Sequence, residues 1–163
     1  MVRPWNRPES GGSKGLPAEE RPMSTSTYLR SRVDLRPLAA ALAVGDVLAL
    51  TAFVVAGTVQ HGEQPFSNPG IVAGALAPFL VAWVAVALVG GLYTADAVST
   101  PRRALGWTVP AWVVAVLMGH ALRATPVFRG GTTAAFVLVT LVVGGVLVVG
   151  WRLLVVAGQR VVE

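Results

Sequence analysis

One acidic residue stands inside an otherwise apolar stretch: Asp46, nine positions beyond Pro37 in the run from Pro37 to Val59. At 1.5 Å per helical residue it lies about 13 Å into a membrane. An Asp at that depth costs about 2.5–3.5 kcal/mol to insert, so it must face a bundle interior or a cavity. Two chemistries are open to it. The carboxyl can carry protons or bind a cation in a tryptophan-walled pocket, or it can hold helices together by hydrogen bonds. Trp83 and Trp112 match it in depth, about 15 Å and about 12 Å from the same end of their own helices. Each indole has one N–H that a carboxyl oxygen can accept. Asp46, Trp83 and Trp112 therefore form the candidate intramembrane polar site, with Gly144 and Gly145 near the same level of the fourth helix.

A second set of polar residues falls at the opposite, outer face. His120 and Arg123 are three apart and share one side of a helix, while His61 and Glu63 follow the end of the first apolar run. His61, His120 and Arg123 could bind an anion, hold a metal weakly or relay protons. The ordinary alternative is a set of interfacial residues capping helix ends, with Arg123 snorkelling toward headgroups. The spacing of the two histidines gives no specific support for haem. Arg152, beside Trp151, reads as an anchor next to an aromatic belt residue. Its other option is to reach inward to Asp46 as a counter-ion. Ala41, Gly45 and Ala49 make a ridge of small residues suited to close helix packing.

The elements that position these residues are four apolar runs. They are expected at 37–59, 71–92, 104–122 and 132–156, within a transmembrane domain spanning 36–157. Each is near or above the roughly 20 residues needed to cross a bilayer core about 30 Å thick. Pro78 and Pro110 lie inside two of them, which membrane helices tolerate. The connections are short and rich in Gly, Pro, Asn and Ser, and Thr100-Pro101 reads as a helix start. The expected fold is all-α, an integral membrane up-down four-helix bundle. Residues 1–35 are rich in Pro, Gly, Ser and charge, and are expected to be a disordered cytoplasmic tail and interfacial segment. Within them Met23 is a plausible second start of translation. Residues 158–163 are expected to be a short cytoplasmic C-terminus.

Composition excludes much else. Of 163 residues, 54% are hydrophobic and 13% charged, against about a quarter charged in soluble domains. With no cysteine, disulfides, thiolate metal sites and cysteine nucleophiles are ruled out. Twelve arginines against one lysine, with apolar runs dominated by Ala, Val and Gly, point to a GC-rich prokaryotic genome. The net charge of +5 follows from topology and requires no nucleic-acid partner. With both termini inside, eleven of the 13 Lys and Arg residues fall on the cytoplasmic side and two outside, as the positive-inside rule demands. The localisation expected is the cell membrane, multi-pass, with both termini cytoplasmic. Nucleotide-binding, serine-hydrolase and zinc-protease signatures are missing. Neither enzymatic activity nor a metal or other cofactor is expected.

The order of short motifs is more specific than the composition. The first run carries Gly45-Asp46 and closes on Gly57-x3-His61-Gly62, and the second carries Pro78-Phe79-Leu80-x2-Trp83. The third ends in Gly119-x2-Leu122-Arg123 and the fourth in Gly150-Trp151-Arg152. This succession resembles the domain-of-unknown-function 3054 family of short prokaryotic membrane proteins, from about Asp34 to Val156. The resemblance implies a four-helix membrane protein and transfers no activity. The residues favour a structural or accessory protein in contact with the lipid bilayer. A small proton- or cation-coupled transporter using Asp46 is the first alternative, and a pigment- or quinone-binding module built on Trp83, Trp112 and Phe79 is the second. A homo-oligomer or an unidentified membrane partner is left open.

Overall fold

Each apolar run becomes one long helix, and local chemistry at the ends decides where each begins and stops. In the computed structural model, α1 is Pro37–Gln60, α2 is Pro69–Gly90 and α3 is Pro101–Arg123. The fourth helix, α4, is continuous through an α-helical stretch Ala134–Val139, a π-helical turn Thr140–Gly144 and a second α-helical stretch Gly145–Val162. The structure describes residues 37–128 and 130–162. The expected tail at 1–35 lies outside the described residues, as do Arg129 and Glu163. All four helices are long and apolar enough to cross a membrane.

The bounds differ from the apolar runs by a few residues, for identifiable reasons. Helix α2 was expected to reach 92 but stops at Gly90. Gly91 takes the left-handed conformation (φ 69°), which glycine adopts without a Cβ penalty, and the Leu92 N–H returns to the Ala87 carbonyl at 2.9 Å to close the helix. Helix α3 begins at Pro101 rather than 104. There the Thr100 hydroxyl accepts the Arg103 N–H at 3.2 Å, and proline at the first helical position costs no hydrogen bond. Helix α4 begins at Ala134 rather than 132 because Thr133 caps it, accepting the Phe136 N–H at 3.2 Å. It also continues six residues past the expected 156, a difference that decides the environment of Arg152.

The helices pack in the ring order α1, α2, α3, α4, with α4 closing on α1; the backbones of α2 and α4 stay apart across their diagonal, where Phe79 meets Phe136 and Trp83 meets Arg152 through their side chains. That is the up-down bundle the short connections require. Helices α2 and α3 approach closely at Gly119, where a Cβ would meet the Phe79 ring at 2.5 Å and the Phe79 backbone at 3.3 Å. The core contains Leu42, Leu50, Trp83, Trp112, Val116 and Val148. Burial is uneven: 39% of the most apolar window of α1 is buried, against 17% in α4. Helix α4 is thus the one most open to lipid. Pro78 and Pro110 remain inside α2 and α3.

The π-helical turn in α4 lies against Trp112. Trp112 of α3 lies against Gly144 and Gly145, where a Cβ would meet its ring at 2.5 Å and its Nε1 at 3.0 Å. Its indole donates to the Leu141 carbonyl at 3.1 Å, a carbonyl within the turn that also accepts the Gly145 N–H. One extra residue turns every following side chain by about 100° around the helix axis.

Candidate functional site

Asp46 is wholly buried, at 0% exposure, on the face of α1 that also buries Leu42, Gly45 and Leu50. Its partner comes from α4. Arg152 donates from Nη2 to Asp46 Oδ2 at 2.6 Å and from Nε to Oδ1 at 3.2 Å. This two-point guanidinium–carboxylate match adds geometric definition to the charge attraction. Trp83 of α2 donates from Nε1 to Oδ2 at 3.1 Å. The third guanidinium nitrogen, Nη1, donates to the Leu92 carbonyl at 2.9 Å. That carbonyl is brought inward by the turn at Gly91, where the chain leaves α2. The Arg152 guanidinium also lies over the rings of Trp83 at 5.4 Å and Tyr93 at 5.6 Å, within cation–π range.

Tyr93, in the α2–α3 connection, is buried beside the same pair. Burial first, and then the charge of Asp46, push its phenol above the ordinary tyrosine value, with Arg152 opposing. The cluster therefore joins α1, α2, α4 and the α2–α3 connection through one carboxylate and one guanidinium. Each oxygen of Asp46 and each nitrogen of Arg152 has a partner, as buried charges require.

Arg152 does not act as an anchor at a helix end; it takes the inward alternative. The reason is helix length. Since α4 runs on to Val162, Arg152 lies ten residues, about 15 Å, from that end. Asp46 lies nine residues from the start of α1, so the two meet at one depth. Trp83 joins the carboxylate. Trp112 does not touch it: its N–H goes to Leu141, and its ring meets Trp83 edge-on with centroids 5.7 Å apart. The small-residue ridge on α1 accommodates a ring rather than a backbone, because a Cβ on Gly45 would fall 1.8 Å from the Trp151 indole.

The second set of residues is divided. His120 is buried at 4% exposure, with Nε2 at 3.3 Å from Thr140 Oγ1 and Nδ1 at 3.5 Å from Thr132 Oγ1. Its ring sits edge-on to Phe79 at 5.0 Å and to Phe136 at 4.9 Å. Arg123 is half-buried, donates from Nε to the Gly131 carbonyl at 3.1 Å and lies over Phe136 at 5.3 Å. His61 is exposed and lines the same cavity as Arg123 and Glu63. Among the described residues, no three side chains of metal-ligating type converge.

Leu92, Tyr93, Thr132 and Thr140 were missed as partners. Gly91 was the legible sign for the first two, since a helix-ending glycine turns the next carbonyls back toward the bundle. Thr140, a hydroxyl in the middle of an apolar run, was the sign for the His120 partner.

The model of the family described as "Protein of unknown function (DUF3054)" matches residues 43–155, a stretch that contains Asp46, Trp83, His120 and Arg152. The chain belongs to that family. Neither a curated protein nor a solved structure matches it.

Proposed function

We propose that this family member is a non-enzymatic, structural or accessory protein of the cell membrane, with both termini cytoplasmic and the Asp46–Arg152 pair clamping its helices. The observation that carries the reading is that the pair satisfies itself. The carboxylate accepts from Arg152 and Trp83, the guanidinium donates to Asp46 and Leu92, and both side chains are fully buried. A carrier needs a carboxylate that exchanges its proton or cation with water on alternate sides. This one is held by a permanent counter-ion at hydrogen-bond distance. Removing one member of such a pair strands a buried charge, so the pair specifies how the four helices assemble.

Intramembrane ionisable residues are also the usual components of proton relays, and flux measurement separates the two roles. Purified protein reconstituted in vesicles, with an imposed pH gradient and a trapped pH-sensitive dye, should leave the gradient unchanged relative to empty vesicles. Gradient collapse by the wild type that is lost in Asp46→Asn, with the fold retained, would replace the structural reading by proton-coupled transport.

A further inference from the structure

All four helices contribute to a slot at the His120 end of the bundle, separate from the buried ion pair. Its volume is about 260 Å³, just below the range of about 300–1,000 Å³ usual for small-molecule pockets. The walls are hydrocarbon and aromatic: Phe53, Ile71, Ala75, Phe79 and Phe136. Polar groups come from Arg123, His61 and Glu63. Walls of this kind suit the hydrocarbon part of an amphiphile.

Arg123 is prepared for a ligand. Its Nε is held by Gly131, its guanidinium lies over Phe136, and Gly130 packs so closely that a Cβ there would fall 2.4 Å from its side chain. Its two Nη groups have no hydrogen-bond partner among the described residues. A guanidinium already immobilised beside an apolar slot binds an anionic oxygen with little further ordering cost. Glu63, exposed and lining the same slot, sets a second condition. A ligand with only negative charge would meet a like charge there, and a neutral amphiphile would leave Arg123 unmatched.

We propose that the slot holds one acyl chain of an aminophospholipid from the surrounding bilayer, its phosphate on Arg123 and its ammonium on Glu63. The test is native mass spectrometry of the full chain in mild detergent, titrated with three single-chain probes of equal length. These are lysophosphatidylethanolamine, lysophosphatidylglycerol and an uncharged monoacylglycerol. The ethanolamine lipid should bind best and the monoacylglycerol least. Arg123→Gln should weaken both phospholipids about tenfold or more, as loss of a charge-assisted contact implies. Glu63→Gln should remove the preference for ethanolamine over glycerol and leave glycerol binding intact. Gly57→Leu serves as the blocking variant. Gly57 lines the slot, a Cβ there meets nothing within 4 Å, and leucine is the better helix former. It should abolish binding of all three probes while the protein stays folded. Equal binding of the three probes with no effect of Arg123→Gln would overturn headgroup recognition. A preference for the glycerol lipid would overturn the role of Glu63, and unimpaired binding by Gly57→Leu would place the lipid elsewhere.

Discussion

Asp46→Asn is the substitution on which the ion pair makes the sharpest demand. Were Asp46 only a hydrogen-bonding carboxyl between helices, Asn would imitate it and the fold would hardly notice. The geometry says otherwise. Oδ2 accepts from both Trp83 at 3.1 Å and Arg152 Nη2 at 2.6 Å, while Oδ1 accepts from Arg152 Nε at 3.2 Å. An Asn amide can place its oxygen at the Oδ2 position and keep the first two contacts, but its NH2 then faces Nε, donor against donor. Flipping the amide loses two acceptors instead of one. In either orientation the guanidinium, at 0% exposure, is left without a counter-charge. Breaking a buried pair from one side costs about 3–5 kcal/mol. The retained acceptor puts Asn near the lower end, about 3 kcal/mol, which raises the unfolding constant by roughly a hundredfold. Arg152→Met should cost at least as much, since it strands the carboxylate. The double variant Asp46→Leu with Arg152→Met strands neither charge and should be more stable than either of these single variants. The assay is reversible unfolding in mixed micelles followed by tryptophan fluorescence, with Asp46→Leu alone completing the double-mutant cycle formed with Arg152→Met and the double variant. Single losses under about 1 kcal/mol that simply add, as exposed pairs do, would refute the clamp.

Three further outcomes follow from other parts of the structure. Gly45→Ala places a Cβ 1.8 Å from the Trp151 ring and should cost about 1–3 kcal/mol by overpacking, measured in the same unfolding assay; an unchanged midpoint would mean that Trp151 moves freely. Tyr93, whose phenol is pushed up by burial and by Asp46, stays protonated longer in the folded chain than in the unfolded one. Its contribution to stability is complete below about pH 10 and falls as pH rises beyond it; Tyr93→Phe should flatten that alkaline loss, and an identical slope in both proteins would count against it. Single cysteines at the exposed positions Ser67 and Ser99 should differ in labelling by an impermeant reagent on intact cells. Ser67 should react and Ser99 should not, and the reverse pattern would invert the orientation read from the arginines.

Much of the architecture was legible in the sequence because hydrocarbon is an unforgiving solvent. Every backbone polar group in it must be satisfied internally, so four apolar runs of sufficient length could only be four helices, and short connections could only make neighbours antiparallel. Thr100-Pro101 marked a helix start for an equally local reason. Asp46 was conspicuous because a carboxyl at that depth needs a partner, and matching depths singled out Trp83 as one. Which of several possible groups would meet it was a different kind of question. Arg152 looked like a helix-end anchor because the apolar run thins out near Trp151, yet α4 continues to Val162 and carries the guanidinium level with Asp46. Trp112 shared the depth of Asp46 but turned to Leu141, since Gly144 and Gly145 leave room for its ring on α4. The π-helical turn there re-aims every later side chain on that helix, and no local pattern in Thr140–Gly144 announces it. Depth along a helix is a property of the chain, additive at 1.5 Å per residue. Direction around the helix, and the carbonyl of Leu92 that completes the pair, depend on how four helices settle against one another, and only the tertiary structure could decide them.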